Sequence, residues 1–130
     1  MSQELSFAAS FAFTKDNLSL TNNSNYVETV TGTNFIQSTQ LAYTTATDIK
    51  FGQNLGVASV GIIIVQNADV TNYVEIDFNG DLTYPIKLAA APDTNSLGGF
   101  FMAYLGDNVT AVKARANTAV CNIIVSAVQH

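Results

Sequence analysis

Apolar and polar residues alternate with a period of two along most of the chain, a pattern typical of strands with one buried face. The first run, "LSFAASFAFT", places Leu5, Phe7, Ala9, Phe11 and Phe13 on one face and small or polar residues on the other. We therefore expect an N-terminal strand that is buried on one face and ends at the turn-forming sequence "KDN".

Turn-forming residues separate further short apolar runs. Residues 18–21 and 26–31 are expected to form short strands on either side of "NNSN", which favours a loop. The most apolar run, "VASVGIIIVQN", is rich in β-branched residues and has no polar face, which indicates a central strand covered on both sides. With the last strand at 120–128, about nine or ten short strands are expected. The pattern predicts one antiparallel, jelly-roll-like β-sandwich domain over residues 1–130.

The segment "VEIDFNGDLTYPIKL" predicts a β-hairpin centred on Asn79-Gly80. A three-residue loop pairs Phe78 with Leu82 and Ile76 with Tyr84, which keeps the apolar side chains of the hairpin on one face. The hydrophobic pattern therefore favours an odd-length loop.

The other face of this hairpin carries Glu75 and Asp77, with Lys87 on the neighbouring strand and Asp81 in the loop. The spacing from Asp77 to Asp81 resembles the start of a calcium-binding loop. However, such a loop needs glycine at its sixth position and glutamate at its twelfth, and this chain has Gly80 at the fourth and Leu88 at the twelfth. The carboxylates are therefore interpreted as a solvated strand face, and no metal site is predicted.

Proline lacks a backbone N–H and is found at edge strands or bulges, so Pro85 predicts that the second hairpin strand lies at a sheet margin. A neighbouring subunit could bind there. The predicted interface residues are Thr83, Pro85 and Lys87 at this margin, together with the N-terminal strand through Phe13.

The chain offers little for catalysis. His130 is the only histidine and the last residue, whereas a catalytic base must be held by a third group. Cys121, the only cysteine, lies in the apolar run "AVCNIIV" and is interpreted as a small buried hydrophobe. It can form no intrachain disulfide, and one Cys with one His cannot complete a zinc site. We predict neither enzymatic activity nor a cofactor.

Composition points to an assembled subunit. Only 12% of residues are charged and the net charge is −5, whereas Thr, Asn and Ser supply most of the polarity. Because the surface has few charges, there is little electrostatic repulsion between neighbouring molecules, which favours a homo-oligomer. The five basic residues are scattered, so binding to nucleic acid or to an anionic membrane is not expected. The N-terminal sequence, with Glu4 and interleaved polar residues, does not resemble a signal peptide or a transmembrane helix.

Three stretches of the chain from about residue 57 onwards form a characteristic series: "NYVEIDFNGDLTYPIKLAAAP", "GGFFMAYL" and "VTAVKARANTAVCNIIVSAV". In this series the chain resembles small virion structural proteins of tailed bacteriophages. The series consists of a hairpin leading to a "PIKL" strand, a loop of small residues, an aromatic strand and a paired strand before the C-terminus.

This resemblance implies a β-sandwich that acts in symmetric copies within a particle and has no catalytic residues. We therefore expect a capsid decoration or cement protein, or a neck or tail subunit, located in the virion after assembly in the host cytoplasm. Its partners would be copies of itself and other virion proteins. The alternative is a carbohydrate- or receptor-binding β-sandwich module, which would present its tyrosines as an exposed platform.

Overall fold

The computed structural model describes residues 4–29, 32–80 and 85–130. Ten β-strands and one short 3-10 turn, Val57–Ser59, lie within these residues, and every strand pairing is antiparallel. The predicted all-β antiparallel class and strand number are confirmed. Tertiary contacts divide the chain into two units, Met1–Thr31 and Gly32–His130.

The first unit contains a β-hairpin, which we call the arm. Strands β1 (Glu4–Lys15) and β2 (Leu18–Thr29) pair along their whole length and are joined by Asp16-Asn17, with Asp16 in the left-handed region at φ 53°. The predicted loop at "NNSN" is wrong, because β2 runs through it without a break. Ladder pairing with β1 here overrides the turn preference of asparagine and serine.

The second unit is a sandwich of two four-stranded sheets. The first sheet has the order β3-β10-β5-β8, formed by Phe35–Ala42, Cys121–Gln129, Val60–Asn67 and Phe100–Tyr104. The second has the order β4-β9-β6-β7, formed by Thr47–Asp48, Val112–Ala116, Val74–Phe78 and Ile86–Leu88.

Apart from the β6–β7 hairpin, consecutive strands of this unit alternate between the two sheets. This is the jelly-roll arrangement of an eight-stranded double sheet. The sandwich that the sequence predicts over residues 1–130 is thus found in residues 32–130, and residues 4–29 form a separate hairpin. The apolar period of the arm is the same as that of a sandwich strand, so sequence alone did not separate the two units.

The core lies between the sheets and is built from the inward residues of both. Ile63 and Val65 of β5 and Val125 of β10 are fully buried, as are Val74 and Ile76 of β6. The predicted central position of the "GIIIV" strand is confirmed, because β5 lies between β10 and β8. The expected cover on both of its faces is not found among the described residues, since half-buried Ile64 lies on the outer face of the sheet.

A fully buried asparagine fastens one end of the sandwich. The Asn67 amide donates hydrogen bonds to the carbonyl oxygens of Asn72, Leu88 and Ala89 at 2.8, 3.2 and 3.1 Å, and its oxygen accepts one from the Asp69 N–H at 2.9 Å. Asn67 therefore joins the end of β5 to the next loop and to the end of β7.

The loop that Asn67 holds is itself ordered by Asp69. The Asp69 carboxylate accepts the Asn72 N–H at 2.6 Å and the Thr71 N–H at 2.8 Å. The hydrogen bond from the Asn72 backbone is the main cause that holds the pKa of Asp69 below its ordinary value.

The hairpin of β6 and β7 has a different register from the predicted one. Val74 pairs with Leu88, Glu75 with Lys87 and Ile76 with Ile86, so the connection is longer than three residues. The shift amounts to two positions, which leaves the described side chains of β6 and β7 on their predicted faces. The predicted pairing of Ile76 with Tyr84 is wrong, because Ile76 pairs with Ile86, and the predicted pairing of Phe78 with Leu82 is not tested, since residues 81–84 lie outside the described residues.

Candidate functional site

The two candidate nucleophile and base residues do not form a catalytic pair. Cys121 is 3% exposed, and burial, with a smaller contribution from the Asp69 carboxylate, raises its thiol pKa to about 11. The thiol is therefore protonated at neutral pH. His130 is exposed, and its ring centroid lies 6.4 Å from that of Tyr104. Its backbone N–H donates to the Ser59 carbonyl at 3.3 Å.

The hairpin carboxylates belong to a charged outer surface. Arg115 of β9 donates from both Nε (2.9 Å) and a terminal nitrogen (2.6 Å) to one oxygen of Glu75. The Lys87 ammonium lies 3.5 Å from the centroid of the Tyr73 ring, in a cation–π contact. Asp77 accepts the Phe78 N–H at 2.8 Å.

These contacts bind charges to neighbours on the same surface and do not gather them around a common point. Among the described residues, no three His, Cys, Asp or Glu side chains come together in a way that could hold a metal ion. Asp81 lies outside the described residues.

The predicted interface residues fall at two places. Lys87 lies exposed on β7, with half-buried Pro85 just before it, and β7 is the last strand of its sheet. The predicted sheet margin is therefore confirmed. Phe13 lies on β1 of the arm and is 45% exposed, and Thr83 lies outside the described residues.

The two sheets of the sandwich differ sharply in charge. None of the four strands β3, β10, β5 and β8 contains a charged residue, and we call them the uncharged sheet. The other four strands form the charged sheet, which carries Asp48, Glu75, Asp77, Lys87, Lys113 and Arg115.

The outer face of the uncharged sheet is mostly apolar. Strand pairing places rows of outward residues across it, for example Val128, Ile62 and Tyr104, then Ile64 and Met102. The most exposed large members are Phe35 (77%), Tyr104 (55%), Phe100 (51%) and Leu41 (50%). Polar residues such as Ser126 and Gln66 lie in the same rows, so the apolar side chains are grouped on this face without covering all of it. Grouped exposed apolar side chains mark an interaction site more often than scattered single residues do.

The arm exposes a second apolar face. Phe13 pairs with Leu20 and Lys15 with Leu18, while Phe11 lies two residues before Phe13, so these apolar residues share one face of the hairpin. Phe11, Phe13, Leu18 and Leu20 are 45–70% exposed. This face of β1 was predicted to be buried. In the single chain that prediction is wrong at Phe11 and Phe13, because both side chains are exposed.

A groove of about 1100 Å³ follows β3, the first strand of the uncharged sheet. Its lining includes Phe35 and Leu41, which point outward, and Ile36 and Ser38, which point inward. Because residues of both orientations line one groove, the groove follows the free edge of β3.

The far wall of this groove is the segment 46–52. The Gln40 side chain fixes it by donating to the Lys50 carbonyl at 2.7 Å and accepting the Lys50 N–H at 3.0 Å. The groove is therefore formed before any partner binds.

Sequence reasoning predicted the sheet margin at β7 but missed the uncharged sheet and the β3 groove, and Phe13 as an interface residue stays a prediction. The absence of charge from "FIQSTQLA", "VGIIIVQN", "FFMAY" and "CNIIVSAVQ" was readable. That these four distant segments form one sheet depends on topology, which the sequence pattern did not give.

Comparison with known proteins adds no relative: no protein-family model matches the chain, and neither a curated protein nor a solved structure matches it significantly. Among the described residues, no helix is long and apolar enough to span a membrane.

Proposed function

We propose that the protein is a non-enzymatic structural subunit of a phage particle, such as a capsid decoration or cement protein. It acts through contacts with copies of itself and with other virion proteins. Its location is the virion, after assembly in the host cytoplasm.

The observation that carries this proposal is the difference in charge between the two sheets. All the charged strand residues of the sandwich lie on one sheet, whereas the other presents apolar side chains such as Phe35, Phe100 and Tyr104 to its exterior. A soluble monomer gains nothing from such a face, whereas a subunit contact gains from burying it.

The size of this face suits a subunit contact. Four strands about 4.8 Å apart, with up to about eight residues each at about 3.4 Å per residue, present roughly 500 Å². Two copies packed on this face would remove about 1,000 Å² from solvent, which is near the lower limit for a specific interface.

The fold agrees with the proposal by analogy only. Jelly rolls build viral capsid proteins, and they also build lectin domains. The resemblance of the sequence from residue 57 onwards to phage virion proteins favours the first of these uses.

The direct test is an inventory of the proteins in purified particles of the phage that encodes this chain, with copy number by quantitative mass spectrometry. We expect the chain in many symmetric copies per particle. Its absence from intact particles would contradict the proposal.

A second test concerns the uncharged sheet. The substitutions Phe100→Lys and Tyr104→Lys place charges on its outer face and should lower the mass of the assembled protein in light scattering. Ala119→Lys, in an exposed loop, is the matched control and should leave the mass unchanged. Equal masses for all three variants would show that this face makes no contact.

A carbohydrate- or receptor-binding module is the alternative, and the tyrosines give it little support. Tyr104 lies on β8, at the opposite edge of the uncharged sheet from β3 and Tyr43, and the Tyr73 ring is covered by Lys87. These rings do not form one platform. Specific binding on a glycan array by a monomeric protein would favour the alternative.

A further inference from the structure

The arm is incomplete as a structural element. Described side chains of both its faces are exposed, including Ala8, Ser10 and Ala12 on one face and Phe11 and Phe13 on the other. A two-stranded hairpin is only marginally stable in water, and a third strand or a packing layer is needed to stabilise it.

The strands of the arm also lack the features that prevent edge pairing. β1 has no charge between Glu4 and Lys15 and no proline, and both β1 and β2 pair on one side only. Natural proteins normally protect such edges with lysine, proline or a bulge. The bare edge of β1 is therefore suited to accept another strand.

One strand edge of the sandwich has the matching properties. β7 is three residues long and follows Pro85, and β4 has only two residues. β8 has five residues, whereas β3 has eight, contains neither charge nor proline, and pairs only with β10. Of these edges, β3 offers the longest unprotected ladder.

The groove provides room for a strand at this edge. Residues of β3 from both faces line it, and every second residue of an antiparallel strand directs its N–H and C=O away from its single partner. A strand added here would form main-chain hydrogen bonds along about 27 Å, at about 3.4 Å per residue.

We infer that the arm of one copy adds to the free edge of β3 in a second copy, with β1 as the added strand. The inference deepens the proposed function and rests on it, because it names the contact by which copies assemble. The second copy supplies the third strand that the arm lacks.

Area and charge both support a second copy as the occupant. The part of the arm that lies along β3, about 27 Å long and about 10 Å wide, presents roughly 270 Å² on one face, so reciprocal burial by two copies would remove up to about 1,100 Å², near the lower limit for a specific interface. The groove is lined by two basic residues, Lys50 and Lys113, and by one acidic residue, Asp48, so its net charge is positive. Residues 4–29 contain three acidic residues and one basic residue, Lys15, so their net charge is negative.

The test uses the full-length chain and two single substitutions. Phe13→Lys places a charge on the apolar face of β1, and Ala46→Lys extends a long charged side chain from the far wall of the groove. Asn25→Lys on β2 and Ala119→Lys in a loop are the matched controls, because both sites are exposed. Native mass spectrometry, with circular dichroism to check folding, gives the readout.

We expect the unchanged protein and both controls to contain at least two copies, and each of the two test variants to have a lower mass, because the copies that the arm joins come apart. Mixing Phe13→Lys with Ala46→Lys should restore a mixed dimer, because one chain keeps its groove and the other its arm. Contacts between two arms would give a different result, since Ala46→Lys alone would then remain dimeric.

Hydrogen exchange tests the contact directly. Amides of residues 35–42 should be protected in the assembled protein and should lose protection at least tenfold in Phe13→Lys, although that substitution lies on the arm. Unchanged exchange at β3, or a monomeric unchanged protein, would overturn the inference. The proposed function fails separately, if the chain is missing from the particles.

Discussion

At the scale of single residues, Asn67 has the most constrained environment among the described polar side chains. It has no exposed surface, and its amide serves three carbonyl oxygens from two different segments of the chain. A buried carbonyl that loses its donor retains the full cost of desolvation, so this side chain should matter more than an ordinary hydrogen-bonding residue.

Replacing Asn67 with alanine should lower the free energy of unfolding by about 3 kcal/mol, because the carbonyl groups of Asn72 and Leu88 lose a buried donor and a small cavity forms, whereas the Ala89 carbonyl still accepts the Gly99 N–H. Urea unfolding followed by circular dichroism measures the loss. The control is Asn122→Ala, an exposed site on β10, where a change below about 0.5 kcal/mol is expected. Similar losses for the two variants would show that the Asn67 network adds nothing to stability.

The sequence pattern is least informative about the contacts of single residues. Asn67 follows an apolar run and looks like an ordinary turn residue, and nothing in the local pattern reveals its three distant acceptors. The same holds for the glycine pair Gly98-Gly99, since the local pattern does not show what packs against it. In the structure a Cβ on Gly99 would come within 2.7 Å of the Ala89 backbone nitrogen, so close approach of two segments requires the glycine there.

At the scale of elements, sequence predicted faces better than registers. Period-two alternation assigned the apolar and charged faces of β6 and β7, because a strand has only two faces. It did not fix the pairing of Glu75 with Lys87, since a shift of two positions leaves both faces unchanged. The continuous β2 was missed for a related reason: the pairing of Asn22 with Phe11 lies outside any local window.

Asn79 joins two elements that are distant in sequence. Its backbone is left-handed, at φ 55°, and its side-chain oxygen accepts the N–H groups of Thr110 and Ala111 at 2.5 and 3.0 Å. Its amide donates to the Asn108 carbonyl at 2.5 Å. The turn after β6 is thereby held against the loop before β9.

Two substitutions separate the roles of this backbone and this side chain. Asn79→Gly keeps the left-handed conformation and removes the hydrogen bonds, so it should cost about 1 kcal/mol. Asn79→Ala also disfavours the conformation and should cost about 2 kcal/mol. Urea unfolding of both variants, with the exposed Asn54→Ala as control, measures the difference. A larger loss for glycine than for alanine would contradict this account.

At the scale of the whole molecule, charge is distributed unevenly although the composition gives only an average. The low charged fraction of 12% and the net charge of −5 predicted a surface prone to association. The structure shows that the strands of one sheet contain no charged residue. The charged residues lie on the other sheet, where some form ion pairs, such as Glu75 with Arg115. Composition therefore predicted a low surface charge and topology shows where that charge is lowest, whereas association itself stays a prediction.

Association through the uncharged sheet and the arm should respond moderately to salt. Screening acts on charged groups, and the groove at β3 and the arm carry a few opposite charges whereas the uncharged sheet carries none, so the dissociation constant should rise by less than about tenfold between roughly 50 and 500 mM sodium chloride. Sedimentation equilibrium measures it. Arg115→Gln on the charged sheet should leave it unchanged, and a tenfold weakening in high salt would instead place the interface on charged residues.

The burial of Cys121 makes the chain convenient for labelling studies. Its thiol is shielded from solvent, and with a pKa of about 11 it stays in the unreactive protonated form at pH 7. A maleimide dye should therefore react with a newly introduced surface cysteine and leave the native one alone. A fluorophore at Asn17, in the turn of the arm, could report energy transfer between neighbouring copies without any need to remove the native thiol.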